Sequence, residues 1–305
     1  MASSPDVRRV WSPRWACCAC CSRRSAGAAQ LLIRGLLALW TFGTSLWNRI
    51  EFRQGDGGGL DTAYLTYWGV WLTVFYTATA FACSLVAFFR PDVGACADPR
   101  SAPLPPRMRT AWVALVSSST ILFSIATAVE LVVVFIYWVL LAEPHYTILS
   151  TWNNAENHGV RFATMWLDML LSAQRLPDVH VAPLVLLAIL YLCTNATISI
   201  LVGQVYSIID WRKSSGAVPI IGVTAFVFAS FYIAALVVSL RDVLAARVRS
   251  SEALSEGAYP NVFSDDPSPL PCGCCRRRRA CCGCAKLESA DLGNDAAKAA
   301  ETGVS

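Results

Sequence analysis

A chain of 305 residues that is 55% hydrophobic and only 15% charged, with a mean hydropathy of +0.47, falls outside the ordinary soluble class. Soluble domains carry about 25% charged residues, and this chain in water would have nowhere to put its apolar surface. The apolar residues come in runs of membrane length separated by short loops, and a charged tail rich in Gly, Ser and Pro follows residue 250. Membrane lipids are therefore the expected surroundings, and no nucleic-acid partner is expected.

In chain order, the expectation is an all-α polytopic membrane protein. A cytosolic Cys- and Arg-rich segment (1–28) leads into a six-helix transmembrane domain (29–241), and a disordered cytosolic tail (242–305) follows. The predicted spans run over about 31–47, 64–89, 117–141, 158–173, 183–208 and 219–240. Pro183 and Pro219 open spans, where a missing amide donor costs least, and Glu143-Pro144 closes the third.

The fourth span is short and carries Arg161 and Asp168. An amphipathic surface helix is the plainer reading. Against it, His158, Arg161, Met165, Asp168 and Ser172 recur at spacings of three and four, which gathers them on one helical face. A polar stripe turned to a bundle interior is what an ionisable spanning helix needs.

Basic residues set the expected orientation. Arg8, Arg9, Arg14, Arg23 and Arg24 precede the first span, Arg90, Arg100, Arg107 and Arg109 follow the second, and Arg241, Arg247 and Arg249 follow the last. The loop after the third span has neither Lys nor Arg. The positive-inside bias then places both termini in the cytosol and requires an even number of spans. Trp47, Tyr64, Tyr67, Trp68, Tyr137, Trp138, Tyr206 and Trp211 fall near the outer ends of their spans, as an interfacial aromatic belt does.

None of the 13 cysteines lies in a predicted outer loop, so no disulfide framework is expected. Cys17, Cys18, Cys20 and Cys21 cluster before the first span, and Cys272, Cys274, Cys275, Cys281, Cys282 and Cys284 flank Arg276 to Arg279 in the tail. Juxtamembrane S-acylation at an anionic leaflet is the leading reading of both clusters. Metal binding competes, because Cys272 to Cys275 and Cys281 to Cys284 are paired at a ligand-like spacing, but the gap between the pairs is short for a zinc ribbon. Incidental cysteines in a disordered tail are the third reading. No metal and no cofactor are assigned.

The first residues lack the apolar core of a signal peptide, so the first span is expected to direct the chain to the secretory membranes, plasma membrane or endomembrane. Asn195-Ala196-Thr197 matches a glycosylation pattern but falls inside a span, where transfer is implausible.

Soluble-enzyme motifs are missing: there is no Walker A loop, dinucleotide fingerprint, HExxH or GxSxG. Of the three histidines, His145 and His180 lie in loops and His158 alone starts a span. The second and fourth spans enter the membrane from the same side, so Thr66 and His158 are expected at nearly the same depth. An imidazole is the side chain poised near neutral pH to take a proton from a threonine hydroxyl, which is otherwise a poor nucleophile. The plainer readings are a helix-capping Thr66 and a structural His158.

Four segments carry a resemblance. Tyr64-Leu65-Thr66-Tyr67-Trp68-Gly69, Glu130 to Tyr137-Trp138, Asn157-His158-Gly159-Val160 continuing to Leu167-Asp168, and Val205-Tyr206 to Asp210-Trp211 occur in this order. In that order and at those membrane positions they resemble the rolling stone family. That family looks related to the androgen-induced membrane proteins, six-span threonine hydrolases that cleave fatty acid esters of hydroxy fatty acids. The resemblance covers roughly residues 30 to 240. It implies Thr66 as nucleophile and His158 as base and then acid in a lipid ester hydrolase, or a membrane organiser or adhesion and fusion factor of rolling stone type. Arg161, one turn beyond His158, is a candidate for binding a lipid carboxylate. Its plainer role is in a structural network with Glu130 or Asp168. A small transporter using Glu130, Arg161 and Asp168 is a further reading, without the internal repeat common in transporter folds. Asn195 and Gln204 are expected to bond between helices.

Overall fold

The computed structural model describes residues 23–53, 64–90, 93, 99–141, 148–172, 174–206, 209, 211–213 and 216–255. Its long elements are α1 (Arg23–Arg53), α2 (Leu65–Phe89), α3 (Pro106–Ile136), α4 (Ile148–Ala155), α5 (Arg161–Leu171), α6 (Val181–Leu201) and α7 (Ala217–Ser255). A π-helical turn over Tyr137–Leu141 extends α3, and another over Glu156–Val160 joins α4 to α5 without a break. No strand occurs among the described residues.

Five of these helices contain stretches long and apolar enough to cross a membrane: Gly27–Ile50, Leu65–Phe89, Pro106–Val139, Asp178–Leu201 and Ala217–Arg247. Burial is inverted relative to a soluble bundle. Leu32, Leu36 and Leu39 on α1, Leu186 and Leu190 on α6, and Ile221 and Leu236 on α7 are exposed, while Arg34, Glu130, Glu156, Arg161 and Asp168 are buried. Hydrocarbon on the outside and charge on the inside is the distribution a bilayer selects. The protein is an all-helical, multi-pass membrane protein.

Helix α3 is the hub, packed against α2, α5 and α7, and α2 packs in turn on α1. Pro106 opens α3, where its lack of an N–H is harmless. The core gathers Tyr76, Phe123, Met165, Met169, Leu184 and Phe231, with Ala80, Ala126 and Ala234 allowing close approach. Because lipid tails are as apolar as Leu, such packing works together with interhelical hydrogen bonds rather than through exclusion of water alone.

The buried charges form two separate assemblies. Arg34 grips Asp168 with two hydrogen bonds, Nε to Oδ1 at 2.9 Å and Nη2 to Oδ2 at 3.1 Å, and donates to Ser84 Oγ at 2.9 Å. Tyr76 donates to Asp168 Oδ2 and accepts from Gln174 Nε2. This assembly ties α1 to α2 and α5. Arg161 instead pairs with Glu156 at 3.0 Å, and Glu156 accepts from Thr44 and Asn48 of α1. The polar stripe expected on the fourth segment is thus buried: Arg161, Met165, Asp168 and Ser172 are each 2% exposed or less, whereas Leu167 and Leu170 face outward.

Several predicted boundaries move: the third helix opens at Pro106 rather than 117, the run holding the fourth begins at Ile148 rather than 158, and the last continues to Ser255 rather than 240. The first helix starts at Arg23, earlier than the apolar run at 31. The fifth predicted span ends at Leu201 rather than 208, because Gly203 adopts a φ of 155° and Gln204 ties its Nε2 to the carbonyls of Tyr206 and Ile209. Gln204 therefore supports a turn within its own segment.

Candidate functional site

Thr66 is the second residue of α2. The cap residue before that helix is Tyr64, and its side chain makes no capping bond, so Thr66 is not the N-cap. Leu65 N–H, one of the amides a helix start leaves unpaired, donates to Tyr206 Oη at 3.0 Å. The chain beyond α6 therefore folds back onto the start of α2.

Thr66 and His158 line one cavity of about 50 Å3, which is small for a ligand site and open at one side. Tyr137, Tyr191, Asn195 and Tyr206 share its wall, and the rest is Leu, Val and Ile from α2, α3, α6, α7 and Ile209. A mostly apolar wall with a few polar groups suits a lipidic ligand. The two expected partners are not hydrogen-bonded to each other among the described residues. The His158 ring stacks flat on Tyr137, with centroids 3.7 Å apart and 1° between planes, and its Nδ1 has no hydrogen-bond partner. Its backbone carbonyl accepts from Trp138 Nε1 at 3.2 Å.

The aromatic belt divides in two. Trp47 and Trp138 are exposed, as anchors are. Tyr64 packs edge-on against Tyr206 at 5.6 Å and Trp68 against Tyr191 at 5.8 Å, so these rings build the walls around the cavity. Asn195 accepts from Trp211 Nε1 at 2.8 Å, a bond to the turn that follows its own helix where one between helices was expected.

Arg161 does not reach the cavity. It is fully buried beside Glu156 and also donates to Thr44 Oγ1 at 3.2 Å, so the expected carboxylate anchor is replaced by an internal ion pair. The network partners also differ from those expected: Glu130 accepts from Thr73 Oγ1 at 2.8 Å, and Asp168 belongs to Arg34. Glu130, Arg161 and Asp168 do not form one polar site. His180 bonds Ser124 Oγ through Nδ1 at 2.7 Å, far along α3 from the cavity. His145 and the ten clustered cysteines, Cys17, Cys18, Cys20, Cys21, Cys272, Cys274, Cys275, Cys281, Cys282 and Cys284, lie outside the described residues. Among the described residues no group of three or more His, Cys, Asp or Glu side chains converges on a metal site.

Below the cavity, Gly69 sits against Glu130: a Cβ there would lie 3.0 Å from Glu130 Oε1. The carboxyl is buried and already bonded to Thr73, so it has little room to give. Gly69→Ala is expected to destabilise the protein by about 1–3 kcal/mol, read as a lower thermal midpoint in detergent. A midpoint equal to that of the unaltered protein would mean that Glu130 shifts freely.

Comparison of the chain with protein-family models, with curated proteins and with solved structures finds no match. The resemblance to the rolling stone family therefore rests on the four motifs alone.

Proposed function

We propose that the protein is a six-span membrane hydrolase of lipid esters, of the fatty acid ester of hydroxy fatty acid type, with Thr66 as nucleophile and His158 as base and then acid. The observation that carries this reading is the shared cavity: two side chains 92 positions apart, named by their chemistry, line the same largely apolar space. In the reaction, Thr66 Oγ1 attacks the ester carbonyl carbon while its proton passes to His158. The alkoxide leaves with that proton; water, deprotonated by His158, then attacks the acyl carbon, and the acid departs as Thr66 Oγ1 takes the proton back from His158. Catalytic hydrogen bonds commonly tighten only around substrate, so an open Thr66 and His158 are compatible with this role. The test is turnover of a lipophilic ester by purified protein, with Thr66→Ala and His158→Ala as the deciding variants.

The sixth span in this reading is α4, the π turn and α5 taken together, which run continuously from Ile148 to Leu171 and so exceed the roughly 20 residues a crossing needs. With an even count and the Arg distribution, both termini are cytosolic, in plasma membrane or endomembrane. Epitope tags placed at each end should bind antibody only after cells are permeabilised. A tag reached from outside intact cells, with the protein at the plasma membrane, would overturn the orientation.

One observation favours a non-enzymatic membrane organiser of rolling stone type instead. The His158 ring is stacked on Tyr137 and makes no bond to Thr66, as a purely structural histidine would be held. That reading expects Thr66→Ala to behave as the unaltered protein.

A further inference from the structure

We infer that the Tyr206 hydroxyl is the hydrogen-bond donor that receives a ligand's carbonyl oxygen in this cavity, and that in ester hydrolysis it holds the oxyanion formed when Thr66 attacks; the inference rests on the hydrolase reading. The argument begins with the direction of a hydrogen-bond chain. Trp211 Nε1–H donates to Asn195 Oδ1 at 2.8 Å, Asn195 Nδ2–H to Tyr191 Oη at 3.5 Å, and Tyr191 O–H to Tyr206 Oη at 3.3 Å. Leu65 N–H donates to the same Tyr206 oxygen at 3.0 Å.

Tyr206 thus accepts twice. Among the described residues its hydroxyl proton has no acceptor. Donors aligned head to tail polarise one another, so an O–H at the end of such a chain is a stronger donor than an isolated phenol. Burial pushes the Tyr206 pKa above the ordinary phenol value, which keeps the proton in place at neutral pH. Tyr206 lines the cavity with Thr66 and His158, and its oxygen is anchored to the amide of the residue next to Thr66. The group is therefore held by the backbone that also holds the nucleophile.

The ligand class follows. A neutral carbonyl oxygen on a long apolar chain fits one directed donor among Leu, Ile and Val. A free carboxylate does not fit at Tyr206, because no Lys or Arg among the described residues lines the cavity and Arg161 is turned to Glu156, so the substrate's own carboxylate would lie away from this donor. When Thr66 Oγ1 forms its bond to the carbonyl carbon, the electron pair of the C=O bond moves to oxygen, where Tyr206 stabilises the charge. The pair returns as the C–O bond to the leaving alcohol breaks. A donor that strengthens as charge develops acts on the transition state more than on the bound ester.

The experiment compares full-length protein, Tyr206→Phe, Tyr191→Phe and Thr66→Ala in detergent, each checked for its thermal midpoint. Turnover of a long-chain ester is one reading, and retention of a radiolabelled long-chain dialkyl ketone, an uncleavable carbonyl, is the other. Expected is a kcat lower by about 100-fold in Tyr206→Phe, with KM raised by no more than the factor by which ketone binding weakens. Ketone binding should weaken about tenfold. Tyr191→Phe, which keeps the Tyr206 hydroxyl and removes one of its donors, should lose kcat several-fold and decides the matter if Tyr206→Phe does not fold. Turnover that depends on Thr66 but is unchanged in both Tyr variants overturns the inference and leaves the hydrolase reading standing. If the unaltered protein does not hydrolyse the ester, the hydrolase reading falls. Weaker ketone binding in the Tyr206 variant then supports the carbonyl site, and equal binding overturns it.

Discussion

Thr66→Ala is expected to lower turnover of a lipophilic ester by at least about 1,000-fold while protein yield and thermal midpoint stay near those of the unaltered chain. The reason for the contrast is local. Thr66 caps no helix and makes no hydrogen bond among the described residues, so removing its hydroxyl takes away chemistry and little else. His158→Ala should reduce turnover on the same scale, because an unassisted threonine hydroxyl holds its proton near neutral pH. It should also cost some stability through loss of the Tyr137 stack. The double variant should be no slower than the slower single one, since nucleophile and base act as a unit. Turnover unchanged in both single variants would remove the hydrolase reading and leave the membrane organiser.

The second large effect is on folding. Asp168→Ala should destabilise the protein by about 3–5 kcal/mol, because it leaves the buried Arg34 guanidinium without its counter-charge and the buried Tyr76 hydroxyl without its acceptor. The measurement is the monodisperse fraction and thermal midpoint in mild detergent. Removing both charges with Arg34→Met and Asp168→Leu should recover most of the loss, since breaking a buried pair costs more than replacing it with apolar groups. Arg175–Asp242 is the control. It spans 3.1 Å, but the Arg175 side chain is 57% exposed, so Arg175→Ala should cost about 1 kcal/mol or less. Equal losses from Asp168→Ala and Arg175→Ala would mean that the interior pair is solvated.

Hydropathy alone carried most of the architecture into view, because a bilayer demands long apolar runs and the described residues include five. The pairing of Thr66 with His158 was drawn from two helix starts at one depth, but His158 lies well inside a helical run that begins at Ile148, so their shared cavity comes from packing that the sequence does not show. Three further features were not legible. Arg34 sits inside the first apolar run, and its partner lies 134 residues away, beyond the reach of any periodicity. Glu156 and Arg161 are five apart, a spacing that points in different directions on an α-helix. They meet because the wider π turn carries the Arg161 amide onto the Glu156 carbonyl. Tyr206 reads as one more interfacial aromatic until the end of α6 at Leu201 is known. The one signal that could have found it is Gly203, a helix breaker three residues earlier.

The Arg34–Asp168 bond also sets a schedule for biosynthesis. Arg34 enters the membrane with the first span, but its carboxylate is encoded 134 residues later. At roughly 5–20 residues per second, the ribosome needs on the order of 7 to 27 s to deliver it. An arginine at the centre of a spanning helix costs about 2.5–3.5 kcal/mol on insertion scales, and Arg34, nearer one end of Gly27–Ile50, costs less but still disfavours burial without its partner. The first helix must therefore wait at the insertion machinery or with its guanidinium drawn toward the lipid headgroups. The arrival of Asp168 lets it settle, which makes the fourth segment the latch of assembly and an unlatched first helix a visible mark for quality control.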